Sequence, residues 1–487
     1  MRILYYNWAD YLDPEKRGGG VSVYQRNLVK TLSQREGIET GFLSAGLAYR
    51  VRSSRPHVVR QKGAGPRRWV LVNSGTLAPS HAGFAAPEQL DHAATVQAFA
   101  EFVARTGPWD VIHFNNLEGL PASVLSLKER FPETRFILSL HNYYPICPQV
   151  NLWHRELHAC TDFDEGQACT VCLPFRHDAR LLRIANAVAY RLKCLGIRPG
   201  SRSFDILFRQ CLRIGGRSAR AAMWVKRNVT PSKTKKQVST TGAVGFRKRR
   251  EDMVSLINDH CDVILCVSDR VRAIAMQYGL DADRLHTDYI GTGHAGYFDS
   301  TQPAHVLLGP DGTVRLGYLG YMRPDKGFYF LLDALESLPD ADAARLHLLI
   351  AAQAGPASLM ARVARLRGRL ASVKLVDGYT AEGLDSLLEA VDLGLIPVMW
   401  EDNLPQVAIE IHARHIPLLT SDMGGASELG GDAALIHRAG DVGSFATRIA
   451  DVLAGRIDLA RYWGNARRPV SMAAHLDALR AFYADGA

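Results

Sequence analysis

Val314-Arg315-Leu316-Gly317-Tyr318-Leu319-Gly320-Tyr321-Met322-Arg323-Pro324-Asp325-Lys326-Gly327 reads as a short apolar strand, a glycine turn and the opening of a helix. After about residue 310 the same alternation continues, with strands predicted at 346–351, 373–376, 393–397 and 416–420 and helical segments between them. Apolar strands alternating with helices of 10 to 15 residues imply a parallel sheet covered on both faces. Working toward the amino terminus, a second series emerges. Residues 2–7 form a first strand, Gly18-Gly19-Gly20 a glycine loop, and 21–32 a helix with apolar residues at Val21, Tyr24, Leu28 and Leu32. Strands at 111–114 and 136–140 follow, separated by a helical stretch at 121–130, and the strand at 263–267 leads into a helix that Ser268 is suited to cap.

Two series imply two doubly wound domains facing a cleft, and 487 residues exceed what one core ordinarily holds. The expected division is residues 1–300, with an insertion at about 145–250, then 301–465, then a carboxyl-terminal helix in 466–487 that packs back on the first domain. The insertion breaks the rhythm with a cysteine cluster, a basic helical stretch and a Ser/Thr/Lys-rich segment at 230–241, expected to be a mobile loop. The 47% hydrophobic and 22% charged content is that of a folded protein, and no run of 18 uncharged apolar residues could span a bilayer. Met1 to Asn7 lacks the basic flank, long apolar run and cleavage site of a secretory signal, so the expected compartment is the cytoplasm.

In doubly wound sheets, ligands sit at the carboxyl ends of the strands, where helix amino termini offer backbone N–H groups to anions. Lys326, with Arg323 nearby, brings cationic charge to such a point. A diphosphate leaving group requires that charge. Taken alone, Lys326 also reads as a solvated lysine at a helix start. A second strand-to-helix transition, Trp400-Glu401-Asp402-Asn403-Leu404-Pro405-Gln406-Val407-Ala408-Ile409-Glu410, carries two acids with seven residues between Asp402 and Glu410. Carboxylates there suit sugar and ribose hydroxyls, which are donors. Alone, they also read as acids on a solvated helix edge.

In this order, the glycine loop, the strand ending in His141, the Ser268 unit, Lys326-Gly327 and the acid pair resemble the large retaining glycosyltransferase family four, of GT-B fold. The resemblance covers nearly all of the chain outside 150–250. It implies Lys326 on the donor diphosphate, Glu410 on the nucleotide ribose, and Asp402 on the transferred sugar, with the Asn403 and Leu404 backbone near the phosphates. It further implies His141 approaching the sugar and Gly19 and Gly20 admitting a phosphate or acceptor. Two features depart from the family pattern. Asp402 stands where the family has Glu, which leaves Glu401 as an alternative register, and Tyr321 occupies the usual arginine position, for which Arg323 is the substitute. The implied reaction transfers a hexose from a UDP- or GDP-sugar to a glycan or lipid-linked acceptor, with retention and without a catalytic metal or other cofactor. Alternatives are a GT-B nucleotide-sugar hydrolase or epimerase, and a non-catalytic membrane-associated scaffold.

Cys147, Cys160, Cys169 and Cys172 fall within 26 residues, the last two as Cys-x-x-Cys. Structural zinc is one reading; buried thiols and a redox pair are the others. Residues 181–250 hold 18 Lys or Arg against a single acid, Asp205, a net +17, so the remainder of this +9 chain carries −8. Apolar and cationic residues interleave there at helical spacing, as in 181–185 and 208–214. That pattern fits an anionic membrane surface, with a solvated helical hairpin as the competing reading, and no nucleic-acid module accompanies the charge. The enzyme is therefore expected at the inner face of the membrane, extending a surface polysaccharide or glycolipid.

Overall fold

The computed structural model describes residues 1–51, 53–63, 65–84, 86–173, 178–213, 240–380 and 383–484. Residues 230–239 of the segment read as a mobile loop, and residues 214–239 of the basic stretch 181–250, lie outside these residues. Sixteen strands are described, in chain order β1 (Arg2–Tyr6), β2 (Glu39–Ala48), β3 (His57–Arg60), β4 (Arg67–Val72), β5 (Val111–Phe114) and β6 (Arg135–Leu140), then β7 (Trp153–His154) and β8 (His158–Ala159). There follow β9 (Val263–Cys266), β10 (Leu285–Thr287), β11 (Val314–Gly320), β12 (Leu346–Ala352), β13 (Ser372–Val376), β14 (Leu393–Ile396), β15 (Leu418–Ser421) and β16 (Ile436–His437).

Eight strands form the first sheet in the order β10-β9-β6-β5-β1-β2-β4-β3, and six form the second in the order β13-β12-β11-β14-β15-β16. All pairings are parallel except β3 with β4 and the small β7-β8 hairpin. The central strands are mostly apolar because both of their faces are covered, and the polar His113 and Ser139 within them bond to each other at 2.7 Å. Ile3, Leu4, Tyr5 and Tyr6 of β1 and Ile112 and Phe114 of β5 are buried. The expected doubly wound α/β architecture is thus the observed one. Renumbered from its own first strand, the second sheet runs 3-2-1-4-5-6, the dinucleotide-binding order, with its reversal between β11 and β14. The first sheet reverses between β1 and β5.

Strand bounds shift by one or two residues, as in β15 at Leu418–Ser421, and two helical segments differ from the expectation. The first helix begins in the glycine loop itself, at Gly19–Leu32, and the helical stretch at 121–130 is a tighter 3-10 segment, Ala122–Lys128. The last helix, Met472–Tyr483, lies on the first sheet, where the Tyr483 hydroxyl shares hydrogen bonds with the Tyr5 hydroxyl (3.1 Å) and His113 Nδ1 (2.7 Å). Apolar packing runs on across the cleft, joining the core beneath the first sheet to Leu404, Ala408 and Ile409 of the second domain.

The loop after β11 is held by a backbone fit that only glycine allows. Gly327 has φ +73°, and a Cβ built there would stand 1.6 Å from the Pro397 carbonyl oxygen, at the end of β14. Gly19 also has positive φ, +54°, but open space around it. Gly19→Ala should cost only the left-handed backbone penalty of about 1–2 kcal/mol. Gly327→Ala should cost clearly more, because the loop must leave β14. Comparing apparent melting temperatures of the two variants checks this; equal losses would contradict the packing argument.

Candidate active site between the two sheets

Ligands of open α/β sheets settle outside the carboxyl ends of the strands, where the strand order reverses. In the second sheet the two loops at that point are those after β11 and β14, and they carry Lys326 and Asp402. Lys326 Nζ donates to Asp402 Oδ2 at 2.5 Å and stands 5.2 Å from the centre of the Trp400 ring. The neighbouring acid has other partners. Glu401 accepts from Arg270 through both of its oxygens, and from the Gly424 N–H at 2.9 Å. Of the two registers open from the sequence, the geometry therefore puts Asp402 opposite Lys326 and commits Glu401 to an interdomain pair.

Glycines make this corner possible. Gly424 has φ +71°, and its Cβ would stand 2.0 Å from the Asp402 carbonyl oxygen; that of Gly425 would stand 2.3 Å from the Asn403 carbonyl oxygen. The Gly425 N–H donates to the Asp402 carbonyl at 2.9 Å. Asn403 and Leu404 precede the helix Gln406–His412, and the Asn403 side chain reaches the Leu140 carbonyl of β6 at 3.4 Å. Ser268 caps the helix Asp269–Gln277 as expected, and its hydroxyl also donates to the Asn403 carbonyl at 2.9 Å.

Glu410 lies on the helix Gln406–His412, half-buried beside Tyr379, whose hydroxyl donates to it at 3.4 Å, and His294, 3.9 Å away. Burial lifts its carboxyl above the ordinary range. Burial, then Glu410 and Tyr321, raise the Tyr379 phenol, so Glu410 and the loop after β11 border one region. Arg323 is engaged locally, in a two-pronged pair with Asp325 at 2.9 Å for each contact, its side chain largely exposed.

The first domain supplies the opposite wall. His141 follows β6, and its Nε2 shares a 3.2 Å hydrogen bond with Asn115 Oδ1. Its ring packs 5.1 Å from that of Tyr24, whose hydroxyl is bonded to His475 Nε2 at 2.7 Å; His475 Nδ1 in turn lies 3.3 Å from Asp288. Burial, reinforced by His475, lowers the His141 imidazole to about 3, so it is neutral near pH 7. Gly20 sits against the second domain, with room of only 3.3 Å between a built Cβ and the Gln406 side chain.

Several of these groups escaped the sequence reading. Arg270, Glu428, Tyr143 and the Asp288-His475-Tyr24 chain come from distant segments with no local motif. Glu428 accepts from the Asp269 and Arg270 N–H groups (3.0 and 2.7 Å) and from the Tyr289 hydroxyl, so an acid of the second domain caps a helix of the first. The only available signal was Ser268-Asp269, which marked a helix start without naming its partner. Three buried polar atoms here, Tyr143 Oη, Trp400 Nε1 and Asn403 Oδ1, have no hydrogen-bond partner among the described residues.

Cys147, Cys169 and Cys172 are buried and Cys160 is half-buried. Cys172 donates to Gln149 Oε1 at 3.1 Å and Cys160 to the Asp162 carbonyl at 3.5 Å. Among the described residues no three His, Cys, Asp or Glu side chains are grouped so as to hold a metal ion. Burial, with Cys147 close by, raises the Cys160 and Cys169 thiols to about 11 and about 12. Among the described residues no helix is long and apolar enough to cross a membrane.

Residues 313–455 match the family model described as Glycosyl transferases group 1. Among solved structures the chain is similar to HepE from Anabaena in complex with UDP, at 14% identity and TM-score 0.55 over 99% of each chain. It is likewise similar to sucrose-phosphate synthase from Thermosynechococcus elongatus, at 16% identity and TM-score 0.56 over 99% of this chain and 98% of that one. A third is the UDP-forming alpha,alpha-trehalose-phosphate synthase from Burkholderia xenovorans, at 13% identity and TM-score 0.55 over 99% of this chain and all of that one. No curated protein matches the sequence. The fold is GT-B.

Glu118, near the end of β5, is buried and accepts from the Ser80 N–H (2.5 Å) and Asn142 (2.7 Å), next to His141. Burial outweighs these bonds and the nearby Arg249, and lifts its carboxyl to about 7. Folded Glu118 therefore keeps a proton that the unfolded residue releases near its ordinary 4.5. Between those values the folded state binds more protons, so stability falls as pH rises, by about 3 kcal/mol from this residue. Urea unfolding at about pH 5 and pH 8 should show that decline, and Glu118→Gln should flatten it; parallel profiles for the two proteins would clear Glu118.

Proposed function

We propose that this protein is a glycosyltransferase that moves a sugar from a nucleoside-diphosphate donor to an acceptor hydroxyl in the cleft between its sheets. The observation that carries the reading is the pairing of Lys326 with Asp402 at the reversal point of the second sheet, inside the segment that matches the group 1 family model. The HepE structures contain UDP, UDP with glucose, and UDP-glucose, which supports a UDP-sugar as donor.

Each residue has a defined task in this reading. Lys326 meets the diphosphate and stabilises the charge that gathers on it as the anomeric C–O bond breaks and the electron pair leaves with the phosphate. Asp402, exchanged from Lys326 by the incoming phosphate, accepts hydrogen bonds from the sugar hydroxyls, and Glu410 accepts from the ribose. Tyr143 Oη, Trp400 Nε1 and Asn403 Oδ1 are buried groups that a polyhydroxylated ligand would satisfy. The acceptor oxygen bonds to the anomeric carbon, and its proton passes to the departing phosphate on the same face of the sugar. Anomeric configuration is thereby retained, in keeping with the resemblance to family four. Neutral His141, braced by Tyr24, borders the sugar from the first domain.

Thermal shift with a panel of nucleotide sugars should single out one donor, since a ligand that binds only the folded form raises its apparent stability. With that donor, Lys326→Ala should lower turnover on the order of 100-fold or more, and Asp402→Asn should also reduce it. A near-normal rate for Lys326→Ala would remove the lysine from the site. Release of free sugar or of an epimer, with no transfer to any acceptor, would replace transferase by hydrolase or epimerase.

A further inference from the structure

The helix Ala179–Cys194 turns one face, with Leu182, Ala187 and Tyr190, onto the first domain, where they pack with Tyr49, Leu77, Ala82, Val70 and Val72. Its outer face is also apolar. Leu181, Ile184 and Leu195 are 54%, 46% and 59% exposed, and they share one stripe with the exposed Arg191 because their spacings of three, seven and four follow the helical period. The next helix, over 202–213, repeats the arrangement. Ile206 and Leu207 are exposed there among Arg202, Arg209 and Arg213. From 179 to 213 the only acid is Asp205.

A single exposed leucine needs no explanation, but five large aliphatic side chains on two successive helices, interleaved with cations, have the composition of an interfacial surface. A face that only repelled its neighbours or bound a polyanion would place polar residues where Leu181, Ile184 and Ile206 stand. We propose that this face docks on an anionic lipid bilayer, the aliphatic side chains entering the headgroup boundary and the arginines pairing with lipid phosphates.

The face adjoins the cleft edge of the first domain. Lys193 pairs with Glu15 at 2.6 Å, Glu15 with Arg17 at 3.0 Å, and Arg183 donates to the Gly75 carbonyl at 2.7 Å. Glu15 and Arg17 belong to the loop that ends in Gly18-Gly19-Gly20. Docking would therefore hold that loop near the lipid headgroups, where a lipid-linked hydroxyl could enter. This second step rests on the transferase reading, whereas the docking itself does not.

Co-sedimentation of the full chain with vesicles tests both. The protein should bind phosphatidylglycerol-containing vesicles, and bind phosphatidylcholine vesicles about tenfold more weakly, with binding reduced by salt. The Leu181→Glu/Ile184→Glu double variant should lose about tenfold in binding to the anionic vesicles while keeping its melting temperature and its stabilisation by UDP. Failure of the wild type to sediment with anionic vesicles overturns the proposal. So does a double variant that binds as well as wild type, with heparin displacing both, because that marks a polyanion site. If vesicle binding depends on Leu181 and Ile184 but no nucleotide stabilises the protein, the docking stands and the transferase reading falls.

Discussion

The structure depends on the two sheets being held with their reversal points opposed, and a charged contact does this together with the apolar packing of Leu404, Ala408 and Ile409. Arg270, at the start of the helix Asp269–Gln277, grips Glu401 from the second domain, while Glu428 of the second domain accepts the N–H groups of Asp269 and Arg270. An acid at a helix amino terminus is favourable by about 0.3–1 kcal/mol when exposed and more when partly buried. Here the acid and the helix belong to different domains, so the same interaction sets their relative position. Glu401 also accepts the Gly424 N–H, which fixes the corner on which Asp402 rides. Adjacent acids thus divide the work: one aligns the domains and the other faces the cleft.

That division explains what could be read from the sequence and what could not. The parallel sheets were legible because strands such as β1, β11 and β12 are mostly apolar, with Arg2, Arg315 and His347 as their charged or polar positions. β2 was not, because Gly41, Ser44 and Gly46 interrupt it and its register shifts between Ala45 and Ala48. Gly41 lies where Trp69 and Trp109 leave no room for a side chain, so the feature that hid the strand is a packing requirement set by residues far along the chain. Lys326, Asp402 and Glu410 could be picked out because strand-to-helix loops of a doubly wound sheet are local objects. Arg270, Glu428 and the Asp288-His475-Tyr24 chain could not, because each joins segments separated by more than a hundred residues.

The departures from the family pattern also have a spatial sense. Arg323 pairs with Asp325 next to the Gly327 turn. Asp325 is buried and its carbonyl accepts the Met399 N–H at 3.0 Å, so this residue ties the loop after β11 to the loop after β14. Arg323 neutralises that buried acid, which makes it a structural partner of the loop. The cation facing Asp402 is then Lys326, and the aromatic Tyr321 borders Tyr379 and Glu410. The short Asp402 side chain is met by Lys326, which approaches to 2.5 Å.

A lysine and an aspartate in contact at the mouth of a cleft form more than a static ion pair. Each is partly shielded from water, so leaving either alone would cost more than for a surface group. A phosphate oxygen offers Lys326 a stronger anionic partner than one carboxylate, and the sugar joined to that phosphate offers Asp402 hydroxyl donors in return. In the proposed reaction this exchange would keep both charges compensated, so that binding a donor would not strand a buried ion. It also couples the two halves of the ligand: a free phosphate would release Asp402 without satisfying it, and a free sugar would have to compete with Lys326 for the carboxylate. The pair therefore favours a molecule that carries phosphate and sugar together, which is the chemistry of a nucleotide sugar.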